Sequence, residues 1–491
     1  MVEIAFGLSR ILLMKRKREA HMSTNVSGQV TAGQMRPVIL ASMFGTAIEW
    51  YDFFLYGTMA TLVFPKLFFP ETNVFVGTLL SFVTFLVGFI ARPFGGALFG
   101  HLGDRIGRKA TLIATLLLMG ISTLLIGFLP TYASIGVAAA IILTLLRLCQ
   151  GLGVGGEWGG SVLLALEYGH RRNRGFWASW PQMGVPVGLI ASTIIVNIVQ
   201  AATGSNFASG AWNAGWRIPF FLSALLIIIG LYIRLRILET PLFTQVKEQK
   251  QDTRTPITDA FRHSTKEILL SAGARFVEQA PFYLFTVFVI TYGTSAIIHL
   301  ERGVVLNAIT IGAAIELFTI PFFSYMSDLV GRRLWYLIGC VLMAAFAFPY
   351  FMLMNSANAV IFSIGVILSI CVFHAWVYGP QAALIAERFG TKERYSAASL
   401  GYQLAAPFAG GLAPIIALLL LKGETNLSAL GLSHTTVSIG TGSWQNVSIY
   451  MIVLALISFL CVLGLKELTH ADISSPEAYN ITEEVVLVAE D

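Results

Sequence analysis

Charge is scarce in this sequence: 491 residues carry 32 Lys and Arg and 27 Asp and Glu, 12% in all, against 56% hydrophobic residues. That is too little charge to cover the surface of a water-soluble domain of this length, so an ordinary soluble fold is excluded. Cysteine is rarer still. Cys149, Cys340, Cys371 and Cys461 fall inside apolar stretches without paired spacing, which excludes a disulfide framework or a thiolate metal site and leaves them as small packing residues. No metal-ligand cluster, nucleophile motif or phosphate loop occurs, and no soluble domain is attached, which leaves no basis for a membrane-embedded enzyme or a receptor. A cleavable leader is not expected either, because the basic run Lys15-Arg-Lys-Arg18 follows the short N-terminal apolar stretch instead of preceding it. The first membrane span then serves as its own insertion signal, and the sequence admits either Met1 or Met22 as the start.

What fills the chain is long apolar runs. A helix crosses the hydrocarbon with about 20 apolar residues, and twelve stretches qualify: 37–64, 75–100, 110–129, 134–166, 175–200, 217–238, 267–297, 304–329, 334–354, 358–386, 395–421 and 446–466, numbered here as spans one to twelve. Barrel strands need only about 10 alternating residues, and backbone groups in lipid must be satisfied within the chain, so the expected fold is an all-α membrane protein. A polar segment divides the spans six from six. The expected domains are an N-terminal segment 1–36, a six-helix bundle 37–238, a central loop 239–266, a second bundle 267–466 and an acidic tail 467–491 without heptads.

The net charge of +5 does not point to nucleic acid, because of where the cations lie. Of the 32 Lys and Arg, 25 fall in the N-terminal segment, the alternate loops on its side and the tail, here called the basic face; only Lys66, Arg302 and Lys422 fall in the opposite loops. The positive-inside rule therefore puts both termini in the cytoplasm of a bacterial cell, with the inner membrane as the surrounding bilayer.

The loop Gly100-His-Leu-Gly-Asp-Arg-Ile-Gly-Arg-Lys109 between spans two and three returns 224 residues later, between spans eight and nine, as Ser327-Asp-Leu-Val-Gly-Arg-Arg333. The register holds elsewhere: Glu49 with Glu278 at 229 residues, and Glu167 with Glu387 and Arg174 with Arg394 at 220. Such recurrence marks a bundle built from two related halves.

On Gly100 to Lys109 and on Arg147-Leu-Cys-Gln-Gly-Leu-Gly153 in span four, the chain resembles the major facilitator superfamily from about 37 to 466. Within it, Glu49-Trp-Tyr-Asp-Phe-Phe-Leu-Tyr56, Ala91-Arg-Pro-Phe-Gly95, Gly155-Gly-Glu-Trp-Gly159 and Gly215-Trp-Arg-Ile-Pro-Phe220 are similar to the metabolite:proton symporter family. The second loop departs by carrying Ser327 where a Gly is expected. The resemblance implies two pseudo-symmetric six-helix bundles around a central cavity, rocking to expose it to either side while inward proton flow drives uptake. Family substrates are mostly carboxylated metabolites such as citrate, ketoglutarate and shikimate, with proline and betaine as zwitterionic members. Family members that sense osmotic pressure carry a C-terminal coiled coil, which this tail lacks. Span five lacks the paired Gly-Pro pattern of the superfamily's drug antiporters.

Ionisable groups at mid-membrane depth are costly, about 2.5–3.5 kcal/mol on insertion scales, and should face a wet cavity or a partner. Glu49 and Asp52 share one face of span one, and Arg92 on span two lies ~12 Å in from the basic face, within reach of Glu49. Competition between Arg92 and a proton for one carboxylate could couple transport to protons; the alternative is a static ion pair. Glu157, in the glycine-rich part of span four, is the first candidate for the proton carrier, with Asp52 second; it could instead cap a local bend. A substrate carboxylate needs a cation, and Arg92, Arg147 and Arg275 are candidates, with Tyr56 and Gln403 as polar lining. Arg275 and Glu278, three residues apart, could pair with each other, and Glu316 aligns opposite Arg92. His374 on span ten reads as a packed, neutral core residue. Asp104, Arg105, Arg108 and Lys109, with Asp328, Arg332 and Arg333, read as a conformational gate, where carboxylates can meet helix N-termini. By resemblance, Asp104 belongs to a latch on the cytoplasmic side.

The function expected is proton-coupled symport of a small, anionic metabolite by a single-chain transporter with the proton gradient in place of a cofactor. A uniporter or exchanger of the same fold, or a symporter of a zwitterionic osmolyte, is the alternative.

Overall fold

The computed structural model describes residues 32–236, 264–389 and 394–471, apart from 73, 107, 169–170, 296–297, 357, 423, 427–435, 439–441 and 470. The expectations for the N-terminal segment, most of the central loop and the tail beyond residue 471 lie outside the described residues.

All twelve spans are helical. They run Ala32–Leu62, Val74–Ile106, Arg108–Phe128, 137–168, 174–203, Ile218–Arg236, 265–293, Arg302–Val330, Arg332–Met354, 359–386, 394–422 and Trp444–Leu463. Ten contain a helix long and apolar enough to cross a bilayer; spans one and seven, the two outside that set, carry Glu49 and Asp52 and Arg275 and Glu278. Between spans eleven and twelve lies an antiparallel pair of three-residue strands, Glu424–Asn426 with Thr436–Ser438, a small departure from the all-helical expectation.

Large apolar side chains face both ways, as a membrane bundle requires. On span four, Leu143, Arg147, Gln150 and Gly151 recur at helical spacing and are buried, while Ile141, Leu145 and Leu148 are exposed. Exposed apolar residues of this kind belong against lipid.

Spans two and four touch backbone to backbone. A Cβ on Gly151 would sit 2.0 Å from the Gly88 carbonyl oxygen, one on Gly95 2.1 Å from that of Leu152, and one on Gly155 2.1 Å from that of Arg92. Small residues permit that approach, and it sets Arg92 beside the glycine-rich turn that carries Glu157.

Span four is interrupted between Gly155 and Trp158, leaving Glu157 at the break. The Gly155 carbonyl at this break accepts a hydrogen bond from Gln403 Nε2 of span eleven at 3.3 Å. The second half thus satisfies a backbone group that the break frees. Wide π-helical turns occur at Leu284–Phe288, Ser369–His374 and Ala406–Gly411, in spans seven, ten and eleven.

Polar contacts join the halves toward both membrane faces. Toward the basic face, Asp328 meets the start of span five. Toward the other, Thr193 and Thr310 hydroxyls pair at 2.7 Å and Asn197 donates to Asn307 at 3.1 Å.

Candidate functional site

Where the two halves meet at mid-depth they enclose a cavity lined by Glu49, Trp50, Arg92, Glu157, Trp158, Gln182, Tyr378, Tyr402 and Gln403, among others. Spans one, two, four and five supply one wall and spans ten and eleven the other. Its volume for water centres is about 20 Å³, enough for roughly one water. Trp158 and Tyr402 stack across it at 3.7 Å between ring centroids.

Glu49, Arg92, Glu157 and Gln403 therefore share one space. Arg92 and Glu49, however, are not within ion-pair distance of each other among the described contacts. Arg92 is 1% exposed and lies over rings instead, with Cζ 4.3 Å from the Phe53 centroid, 4.5 Å from Phe89 and 5.4 Å from Trp50. The ring faces carry negative potential and hold a guanidinium without neutralising it. Its Nε and Nη2 have no hydrogen-bond partner among the described residues, and the Tyr283 hydroxyl stands beside it.

Arg147, Tyr56 and Asp52 correct the sequence reading, because none of them lines the cavity. Arg147 lies on the other side of Phe53, 4.2 Å from that ring and 4.2 Å from the Tyr56 ring, and donates to Gln150 Oε1 at 3.0 Å. Tyr56 donates to Thr84 at 2.7 Å. Asp52 is buried on this inner side, with Thr123 and Arg147 as its polar neighbours. Phe53 thus separates two guanidiniums. Glu49 and Asp52 lie on neighbouring parts of one helix face, but three residues leave them about 60° apart around the axis, and Asp52 falls beyond the edge of the cavity wall.

Arg275 also stands behind the wall. Its guanidinium stacks on Tyr402, donates to the Tyr402 carbonyl, and pairs with Glu278 at 3.3 Å. The pairing of Arg275 with Glu278 follows the sequence reading; what lies beyond it does not. Glu278 also accepts from Gln381 Nε2 at 3.0 Å and faces His374 Nε2 at 3.6 Å, while His374 Nδ1 meets Glu316 Oε1 at 2.5 Å. His374 is not packed among apolar neighbours alone but lies between two carboxylates, from spans seven and eight. The one sequence signal for this was that Glu278, Glu316 and His374 are ionisable residues set well inside apolar spans.

Toward the basic face, Asp328 accepts from the backbone N–H groups of Gly175 at 3.0 Å and Phe176 at 2.9 Å, at the N-terminus of the helix Arg174–Gln182. A carboxylate is favoured at that helix end. Arg332 clamps the arrangement, 2.7 Å from Asp328 Oδ1 and 2.7 and 2.8 Å from the two Glu387 oxygens. Arg174 of the first half also reaches Glu387, at 3.5 Å. A Cβ at 175 would lie 2.3 Å from Arg332 Nη1 and so would displace the clamp. Arg333 caps the end of span twelve through the Val462 and Leu463 carbonyls, and its own backbone N–H donates to Glu467 at 2.9 Å. Burial alone would raise the Glu467 carboxyl, but bonds from Thr469 and Arg333 and the nearby Arg388 charge outweigh it and hold the group below its usual range. The Arg174 and Glu387 contacts were visible in the sequence only as positions kept in register between the halves. The side chains of Asp104, Arg105, Arg108 and Lys109 lie outside the described residues.

Comparison with known proteins agrees with this architecture. A family model for sugar (and other) transporters matches residues 38–270 and 280–475. The chain is 40% identical over 400 residues to the inner membrane metabolite transport protein YhjE of Escherichia coli K12, covering 80% of this chain and 90% of that one. It is 36% identical over 447 residues to the shikimate transporter of the same organism, covering 90% and 97%. To the proline/betaine transporter of Salmonella typhimurium LT2 it is 32% identical over 492 residues, covering 97% and 93%. Its fold is similar to that of the proton:xylose symporter XylE bound to 6-bromo-6-deoxy-D-glucose, with a TM-score of 0.70 at 16% identity over 91% of this chain and 99% of that one. Relatives and fold alike are those of transporters and not of enzymes. The chain is a multi-pass membrane protein that belongs to the sugar (and other) transporter family, with the major facilitator fold.

Proposed function

We propose that this transporter takes up a small carboxylated metabolite together with protons, by alternating access. The observation that carries the substrate class is Arg92: a buried guanidinium on the cavity wall, resting on rings, with two nitrogens that lack a partner among the described residues. A carboxylate entering the cavity completes that guanidinium's hydrogen bonding, and such charge-assisted pairs are the stronger ones. The named substrates of the shikimate and proline/betaine relatives all contain a carboxylate.

Proton coupling is assigned first to Glu157 and Glu49, which face the same space as Arg92. Asp52, held beside Arg147 behind Phe53, is the second-line candidate. A proton on either cavity carboxylate removes a negative charge that would oppose an anion. The driving force is the proton gradient, with no further cofactor, and one chain is the working unit, since it supplies both walls. The basic face is assigned to the cytoplasm, with both termini, from the loop cations.

The aromatic lining favours a second reading, a zwitterionic substrate. Trp50, Trp158, Tyr378 and Tyr402 surround the cavity together with two carboxylates, a setting that also suits an ammonium group.

Uptake by the full chain in proteoliposomes decides between these. With labelled shikimate, proline and glycine betaine as probes, an imposed inward proton gradient should raise shikimate accumulation most, and Glu157→Gln should remove the response. Accumulation indifferent to the gradient would reject symport, and a preference for betaine would favour the second reading.

A further inference from the structure

A second cluster of titratable groups sits outside the cavity, in the second half. His374 and Glu316 are each 0% exposed, and each comes from a different span: ten for the imidazole, eight for the carboxylate, seven for Glu278. The imidazole is sandwiched between Phe282 at 4.1 Å and Tyr378 at 4.8 Å, ring to ring. One ring nitrogen points to each carboxylate.

A neutral imidazole has a single N–H and can serve only one of those two carboxylates; an imidazolium donates to both. Charge counting gives the same answer. Arg275 and Glu278 form an ion pair, leaving Glu316 as an excess negative charge in a dry site when the ring is neutral. One added proton brings the cluster from a net charge of −1 to zero, the state that burial favours. The other titratable groups around it are Tyr336 on span nine, bonded to the same Gln381 as Glu278, Cys371 on span ten near Glu316, and Tyr402 on span eleven, which stacks on Arg275.

We propose that Glu278, His374 and Glu316 form a proton-binding site of the second half, one layer behind the cavity wall. This rests on the symport reading for its purpose, though not for its chemistry. The proton arrives from the cavity past Tyr378, whose ring covers the imidazole and also lines the cavity. It is retained between the imidazole and the carboxylates, and no other bond is made or broken. Movement between the halves reaches the site directly. Gln182 of span five donates to the Tyr378 carbonyl at 2.5 Å, four residues beyond His374, and His374 ends one of the wide turns, a helix distortion common at functional sites. Loading the proton cancels the negative charge behind the wall and so favours entry of an anion in front of it.

The test compares two modes of shikimate movement in proteoliposomes of the full chain: accumulation driven by an inward proton gradient, and counterflow with equal pH on both sides. Glu316→Gln and His374→Asn should lose at least tenfold in driven accumulation while counterflow falls less than threefold. Driven accumulation retained in both variants overturns the proposal. Should a variant lose both modes, ¹⁵N-histidine spectra of the wild-type chain in nanodiscs decide, with His374→Asn identifying the resonance. A ring that changes protonation between pH 5 and 9 supports the site, and a ring fixed in one state throughout overturns it. If wild-type uptake ignores the gradient but the ring still titrates together with Glu316, symport falls and the proton site stands.

Discussion

In the first half, Arg92 and Arg147 lie over the rings of Phe53, Phe89, Tyr56 and Phe85; in the second, Arg332 is clamped between Asp328 and Glu387, and Arg275 pairs with Glu278 while stacking on Tyr402. The residue type and the burial are the same, and the partners differ. A guanidinium on aromatic faces keeps hydrogen-bonding capacity in reserve, and an anion that reaches it can claim that capacity. A guanidinium bridging two carboxylates has spent it on holding spans together. Spans two and four meet through glycine and backbone, and so do spans eight and ten where Gly379 faces the Ile320 carbonyl, but spans seven, eight and ten are tied by buried charge in addition.

The largest way to break this contrast is Arg332→Ala. It strands the Asp328 and Glu387 carboxylates and should cost about 3–5 kcal/mol, seen as a lowered thermal melting point of the purified protein and easier labelling of the cavity from the basic face. In the first half the equivalent damage comes from volume and not charge. Gly151→Ala drives a methyl into the Gly88 carbonyl and should cost about 1–3 kcal/mol, whereas Gly303→Ala, with nothing within 4 Å, should leave melting unchanged and so serves as the control. Arg92→Gln sharpens the comparison further. Melting should hold steady or rise, because a buried guanidinium with unmet donors is removed, yet shikimate counterflow should fall roughly 10- to 100-fold, the worth of a charge-assisted bond. A matching loss of stability would mean that Arg92 is structural like Arg332. The smallest effect is expected from Thr193→Val. It deletes one hydroxyl pair with Thr310, about 0.5–1.5 kcal/mol, and should raise labelling from the face opposite the basic one.

How much of this was legible depended on whether the information was local. The number of spans, their bounds to within a few residues and the recurrence of Asp104 at Asp328 follow from hydropathy and repetition, which are properties of consecutive residues. Glu49, Arg92, Glu157 and Gln403 share one space in the fold, and depth along a span, which helps to bring them near one another, can be read from position in the sequence. Rotation about the helix axis was not legible. Asp52 and Arg147 therefore went to the cavity on paper and to the far side of Phe53 in the fold. His374 was misjudged for the same reason: its partners lie 58 and 96 residues away, at Glu316 and Glu278, and nothing in sequence order announces which faces of spans seven, eight and ten converge. The backbone donors of Gly175 and Phe176 leave no side-chain signal at all.

The ties found toward both membrane faces carry a kinetic consequence. Under the alternating-access reading proposed above, a form whose cavity has room for about one water is the one an unloaded carrier crosses on its way back for another round. Its depth as an energy well then governs the return stroke. Tightening either set of ties should slow net accumulation while leaving the swap of one cargo molecule for another largely untouched, since exchange never requires the empty crossing.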